Sequence, residues 1–358
     1  MSRLSQSDFQ KKINKPPYSA KAARSEILQL ASQVAEGKSV ELIADIMSTA
    51  LRLGEDSASI ADLKLFRKAF AEMRYASCVF DHYNHKRKVA VFGSARTAPE
   101  SDDFKLAIEF AEKMVRRGYM IITGGGDGIM GAAQQGAGAD NSFGLNIELP
   151  FEQQANETIE GDPKLINFKY FFTRKLHFLK ETQAVILFPG GFGTQDEGFE
   201  SLTLMQTGKS QIVPMVMIEK VNGHYWETWR RFVEHDLLGS GLISENDLHL
   251  FKITHSADEA VEEVAKFYSN FNSYRWVKDR MVIRLEQALT EKAVEDLNNK
   301  FSSLLVRDKI EQMPGPLPEE RNAFPDLPRL VLVPDKHNFG LIRLLIDAIN
   351  NAAKANPQ

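Results

Sequence analysis

The stretch that most constrains this chain is Gln183 to Glu200, QAVILFPGGFGTQDEGFE. Ala184 to Phe188 is a short apolar run, the pattern of a buried strand. Pro189-Gly190-Gly191-Phe192-Gly193-Thr194 follows as a turn with three glycines. From Thr194 onward the residues suit a helix, which puts Asp196 and Glu197 in its first turn. A strand, a glycine turn and a helix N-terminus in series turn free backbone N–H groups and the positive end of the helix dipole towards one spot. That is a site for an anion. Glycines let a ligand approach the backbone with no Cβ in the way. Acids in a first turn also serve the dipole alone, so Glu197 has a structural reading beside a functional one.

The same alternation extends on both sides. Val89 to Phe92 reads as a strand ending in Gly93-Ser94-Ala95-Arg96, and Phe104 to Arg117 as an amphipathic helix. Tyr119 to Thr123 is the next strand, and a helix starts at Ile129. Phe143 to Leu149 is a strand leading into Pro150, Leu165 to Phe172 is extended, and Thr173 to Glu181 is helical. Strands follow at Ile212 to Ile218 and Leu248 to Thr254, with helices at Trp226 to Leu237 and Ala257 to Tyr268. Strands alternating with helices predict an α/β fold, a doubly wound, Rossmann-like parallel sheet covered on both faces. Ligands of such sheets sit at the carboxyl ends of the strands. All the glycine turns follow strands, so they can share that rim.

Three regions are expected. Residues 1–87 form a helical N-terminal extension, with helices within Ala20 to Leu53 and from Ile60 to Tyr83. Met1 to Pro17 is polar and expected to be poorly ordered. Leu63, Phe66, Phe70 and Met73 make an apolar stripe on the last helix, and Cys78 is expected to be buried packing. Residues 88–271 are the sheet domain. Residues 272–358 hold a strand from Met281 to Leu285, a helix from Lys292 to Leu305, a Pro-rich charged linker, a strand from Leu330 to Val333 and a helix from Phe339 to Ala352. These units form a small α+β addition, extend the main sheet or pair with another subunit.

Composition removes several classes of function. The net charge of -4 gives no support for bulk nucleic-acid binding. A single cysteine excludes an intrachain disulfide framework or a cysteine metal cluster. His82 and His85 lack the further ligands of a metal site and read as a solvated helix end. No stretch approaches the ~20 apolar residues of a membrane span, and Met1 to Lys12 has no apolar core of a signal peptide. The expected location is the cytoplasm, with no metal, no cofactor, no nucleic acid and no membrane among the partners.

A second glycine loop, Thr123-Gly124-Gly125-Gly126-Asp127-Gly128-Ile129-Met130-Gly131, contains a literal G-x-G-x-x-G between a strand and a helix. With Glu148 placed downstream to hold a ribose hydroxyl, it supports a dinucleotide reading. Against that reading, the loop follows the second strand of the domain, and the PGGFGT turn supplies another anion site. The G-K-[ST] of a P-loop is absent. Arg174 directly follows the apolar run Phe171-Phe172, which brings its head to a pocket edge. His177, one turn on, is read as helix packing.

PGGFGTQDE, the TGGGDGIMG loop and the Arg174-Lys175 pair resemble three elements of the LOG (Lonely Guy) family of nucleoside 5′-monophosphate phosphoribohydrolases. Phe171 stands where that family usually has Met. The resemblance covers roughly Lys88 to Phe271. It implies hydrolysis of the N-glycosidic bond of a nucleoside 5′-monophosphate, AMP or an N6-modified AMP first, to free base and ribose 5-phosphate. It makes Arg174 the match to a catalytic arginine and Glu197 the match to a catalytic glutamate. It puts the phosphate and substrate contacts at Gly93, Ser94, Gly124, Gly125, Gly126, Gly190, Gly191, Gly193, Thr194 and Asp196. It also implies a homodimer or larger homo-oligomer. The rival is a non-catalytic nucleotide-binding or carrier module on the same scaffold. An NAD-linked enzyme is a third reading. A lysine decarboxylase, a label sometimes attached to the family, is weaker because no stretch singles out a Schiff-base lysine.

Overall fold

The computed structural model describes residues 19–149, 154–321 and 323–355. The expectation of disorder at Met1 to Pro17, and Pro150 itself, lie outside the described residues. The chain divides into two compact units, Met1–Arg74 and Tyr75–Gln358.

The first unit contains α1 (Arg24–Ser32), α2 (Lys38–Glu55) and most of α3 (Ile60–Asp81). Its core is small: Ala23, Ile27, Ala31 and Ala44, packed by Leu28, Val40, Ile43 and Met47. The apolar stripe on α3 is not buried as expected. Leu63, Phe66 and Phe70 are exposed, whereas Ala69, Glu72, Ala76 and Phe80 are the buried residues of that helix. Helical spacing marks a stripe but not what covers it. Cys78 is likewise exposed, on the face away from Ala76 and Phe80.

The second unit is built on a seven-stranded parallel sheet. Its strands are β1 (Lys88–Phe92), β2 (Met120–Thr123), β3 (Ser142–Ile147), β4 (Leu165–Phe168), β5 (Ala184–Leu187), β6 (Met215–Ile218) and β7 (Lys252–Thr254), in the order β4-β3-β2-β1-β5-β6-β7. Every residue of β1, β2, β5 and β6 is buried, as apolar runs covered on both faces must be. Side chains alternate across the sheet. Val89 and Val91 join one core with Ala184, Ile186 and Val216. This core is covered by α4 (Asp102–Arg116), α5 (Ile129–Ala137) and α9 (Ala257–Phe267). Ala90 and Phe92 join the other core with Val185, Leu187, Met215 and Met217.

That second core is shared with the C-terminal region. β8 (Phe271–Val277), β9 (Arg280–Leu285), β10 (Leu305–Met313) and β11 (Arg329–Pro334) form an antiparallel sheet in the order β10-β11-β9-β8. With α10 (Glu291–Lys300) and α11 (Phe339–Asn351), they bury Phe271, Tyr274, Met281, Phe301, Leu332, Phe339 and Ile346 in the core that holds Ala90 and Val185. The C-terminal region therefore adds a separate small antiparallel sheet with its own helices.

Several boundaries differ from those expected. The helix read as Lys292 to Leu305 ends at Lys300, and Leu305 begins a strand. β10, LVRDKIEQM, is an edge strand that buries only Ile310, so its charged sequence hid it. The strand read as Leu248 to Thr254 is a short helical turn, Glu245–Leu250, followed by β7. The helix read as Trp226 to Leu237 is α8 (Tyr225–Phe232), which then widens into a π-turn at Val233–Leu238.

Candidate active site

The strand order reverses at β1 and β5, which pair directly and run out to opposite neighbours. A crevice opens at the carboxyl end of such a pair because the chain leaves the two strands towards opposite faces of the sheet. The turns after β1, β2 and β5 meet there. Ser94 N–H donates to Pro189 O at 3.1 Å, and Ile129 N–H donates to Ser94 O at 3.1 Å. Two glycines owe their identity to this closeness. A Cβ on Gly93 would lie 2.6 Å from the Ile129 side chain, and one on Gly128, at φ +62°, would lie 2.3 Å from Ser94 O.

The turn after β5 feeds α7 (Phe192–Gln206), which starts two residues earlier than expected. Gly191 is the N-cap, and the first helical bond runs from Gln195 N–H to Gly191 O at 3.1 Å. The N–H groups of Phe192, Gly193 and Thr194 are thus the open end of the helix. Asp196 and Glu197 fall in the second turn rather than the first, so the helix dipole does not explain their presence. A Cβ on Gly190 would collide with the Thr194 side chain, at 2.1 Å from Oγ1, whereas one on Gly191 or Gly193 would meet nothing within 4 Å. Packing requires glycine only at the first of the three.

These elements enclose a cavity of about 650 Å³. Of the residues expected at the site, Gly93, Ser94, Gly124, Gly191, Gly193, Thr194, Arg174 and Glu197 line it. Gly125, Gly126, Gly190 and Asp196 do not. Gly125 and Gly126 are buried, and both carbonyls accept from the Asn156 side chain at 3.0 Å. Glu148 is exposed and off the cavity, which leaves the dinucleotide reading without its ribose acid. Met130, Ile147, Leu149, Phe171 and Phe178 add an apolar wall.

Arg174 and its neighbour Lys175 come from α6 (Phe171–Glu181), which begins at Phe171, inside the stretch read as extended, because Tyr170 is already its N-cap. The Arg174 guanidinium lies 5.0 Å from the Phe171 ring centre and 5.8 Å from that of Phe178. Its Nε is buried with no partner among the described residues. Burial works against its charge, opposed by Glu197 and Asp196. His177 is 1% exposed and lies against the rings of Phe80 and Phe168, away from the cavity.

Glu197 is only 5% exposed. Burial pushes its carboxyl up to about 7 from 4.5, against the pull of Lys175 and Arg174. Lys175 is the residue whose role the sequence did not show. Its Nζ sits 2.7 Å from Asp196, 2.6 Å from Glu200 and 3.9 Å from Glu197. Burial opposes the Lys175 charge, and the three carboxylates outweigh that, holding its ammonium above the ordinary lysine range. Asp196 and Glu200 share the lysine's closest contacts, so Glu197 keeps a carboxylate that is near positive charge and not locked in a tight pair. Such a group can hold a proton or a developing cation near neutral pH.

Among the described residues no group of three or more His, Cys, Asp or Glu could hold a metal ion, and no helix is long and apolar enough to cross a membrane.

Parts of this chain resemble known proteins. Residues 130–264 match a family model described as "Possible lysine decarboxylase". A probable cytokinin riboside 5′-monophosphate phosphoribohydrolase of Oryza sativa subsp. japonica is 28% identical over 159 residues, 44% of this chain and 63% of that protein. A cytokinin riboside 5′-monophosphate phosphoribohydrolase of Arabidopsis thaliana is 24% identical over 185 residues, 51% of this chain and 84% of that protein. This chain thus spans less than two thirds of the rice relative's length. Solved structures that resemble it include a Moco carrier protein from Chlamydomonas reinhardtii, 19% identical, covering 51% of this chain and 97% of that one at a TM-score of 0.34. A molybdenum cofactor binding protein from Rippkaea orientalis is 20% identical, covering 49% and 94% at a TM-score of 0.33. By these sequence matches, the Rossmann-like part of this chain is similar to phosphoribohydrolases of the LOG family.

Proposed function

We propose that this protein hydrolyses the N-glycosidic bond of an AMP-like nucleoside 5′-monophosphate, releasing free base and ribose 5-phosphate. The observation that carries the reading is one cavity lined by both an open helix N-terminus and the Arg174–Glu197 pair. The N–H groups of Phe192, Gly193 and Thr194 bind the phosphate. Glu197 lies about 7 Å further along the helix, at 1.5 Å per residue, which leaves room for a ribose. Cleavage builds positive charge on the sugar, as in glycoside hydrolysis. The Glu197 carboxylate stabilises that charge or takes a proton from the attacking water, whose oxygen bonds to the sugar carbon. The departing base keeps the bonding electrons and gains a proton. Arg174 supports the carboxylate and the leaving group. Binding energy from the phosphate holds the sugar in place for this step. The apolar wall of Met130, Ile147, Leu149 and Phe171 is assigned to the base.

The catalytic part on this reading lies within 88–271, with 1–87 and 272–358 as supporting regions, and the protein acts as a homodimer or larger homo-oligomer. Phe171, Phe172, Leu176 and Phe192 support that assembly, because all four are exposed and Phe171 and Phe192 line the cavity. The test is incubation with a panel of nucleoside monophosphates, nucleosides and NAD, scored for free base. Release of base from monophosphates and little from nucleosides is the expected result. Tight nucleotide binding with no released base would replace this reading with a carrier.

A further inference from the structure

The phosphate turn is held from behind by a residue that does not line the cavity. The Tyr225 hydroxyl donates to Gly190 O at 2.5 Å, and Gln195 Nε2 donates to that hydroxyl at 2.7 Å. A carbonyl oxygen only accepts, so the single hydroxyl hydrogen is committed to Gly190. The side-chain group of Gln195 facing the oxygen must then be its NH₂.

This contact acts through the peptide plane. Across a trans peptide the C=O of one residue and the N–H of the next point in opposite directions. Fixing Gly190 O towards Tyr225 therefore fixes the Gly191 N–H the opposite way. Gly191 lines the cavity and Tyr225 does not. The restraint is needed because a Gly-Gly peptide has no side chain on either flank to resist rotation. A flipped peptide would present a carbonyl oxygen to the anion in place of a donor.

Tyr225 is itself well held. The Glu219 carboxylate, 1% exposed, accepts from Tyr225 N–H at 2.9 Å and from Trp226 N–H at 3.1 Å. Trp226 is fully buried, and its Nε1 donates to Ile218 O at 3.2 Å. The start of α8 is thereby fastened to the end of β6, and its first side chain reaches the turn after β5.

We infer that Tyr225 is a positioning residue that sets the polarity of the Gly190–Gly191 peptide for a phosphate group. This rests on the proposed placement of the phosphate at that turn. The test is Tyr225→Phe, which removes one oxygen and keeps the ring. Affinity for inorganic phosphate and for ribose 5-phosphate is measured by calorimetry, with hydrolysis of AMP and adenosine followed in parallel. The variant should bind both phosphates and show a KM for AMP weaker by about fivefold to tenfold, the size of one lost hydrogen bond. The kcat for AMP, the turnover of adenosine and the melting temperature should stay near wild type. Wild-type phosphate affinity in Tyr225→Phe, or a lower melting temperature with unchanged affinity in the folded fraction, overturns the inference. A wild-type protein that binds phosphate but releases no base would end the hydrolase reading, and the affinity comparison would still decide Tyr225. A wild-type protein that binds neither phosphate overturns both.

Discussion

Glu197→Gln should raise stability and abolish activity together. Burial lifts the Glu197 carboxyl from 4.5 to about 7, so the folded protein holds this proton more tightly than the unfolded chain does. The sign follows from linkage. A folded value above the unfolded one means that stability falls as pH rises from about 4.5 to about 7 and stays low beyond. At about 1.4 kcal/mol per pH unit, the cost of the ionised group above pH 7 is about 3 kcal/mol. Glutamine never ionises, so at pH 8 the variant escapes that cost, less about 1 kcal/mol if its amide finds no new partner. A net gain of about 2 kcal/mol raises the melting temperature of a 358-residue protein by about 3 °C. At pH 4.5 the wild-type carboxyl is itself protonated and the gain should vanish. Activity should move the other way, with release of base falling about 10²–10⁴-fold for loss of an acid–base group. Wild-type turnover should show an acidic limb near pH 7, separate from titration of the substrate phosphate near about 6. The assays are thermal melts at pH 4.5 and pH 8 and free-base release across that range. A variant that is less stable at pH 8 and keeps wild-type turnover in its folded fraction would refute both the electrostatic argument and the role of Glu197.

Three further outcomes are expected. Gly191→Ala should fold normally yet weaken phosphate binding by about tenfold or more, because its Cβ enters open space where the ligand belongs; Gly190→Ala should lose stability, because its Cβ meets Thr194 at 2.1 Å. Melting temperature and phosphate titration separate the two. Arg174→Ala should slow base release and move the acidic limb to higher pH, since Arg174 now helps to hold Glu197 ionised; an unmoved limb would detach the arginine from the carboxylate. Removal of residues 272–358 should yield aggregated protein, because Phe271, Met281, Leu332 and Ile346 share a core with Ala90 and Val185. A monomeric, cooperatively melting 1–271 fragment would contradict that.

Much of the framework was legible because parallel strands buried on both faces must be short apolar runs. β1, β2, β5 and β6 were found that way, and glycine turns marked the carboxyl ends of β1, β2 and β5. β8 and β10 were missed for the converse reason. FNSYRWV and LVRDKIEQM bury few of their residues, so no run or clean alternation announces them. The helix starts were misplaced by two residues at Thr194 and Thr173 for a local reason. Aromatic residues at Phe171 and Phe192 carry little helix propensity, and the preceding turns impose helical geometry on them.

The sequence by itself determined the order of strand, glycine turn and helix, and the presence of Arg174 and Glu197 beside two such turns. Those are matters of spacing along one chain. Tertiary structure alone decided which glycines face the cavity, since Gly191 and Gly193 border open space while Gly125, Gly126 and Gly190 are packed by Asn156, Leu165 and Thr194. It decided that Lys175 gathers Asp196 and Glu200, and that Glu197 is buried enough to titrate near neutral pH. It also brought Tyr225 onto Gly190 from 35 residues away. Burial, charge pairing and long-range hydrogen bonds depend on distances through space. No local pattern encodes them until the sheet has closed.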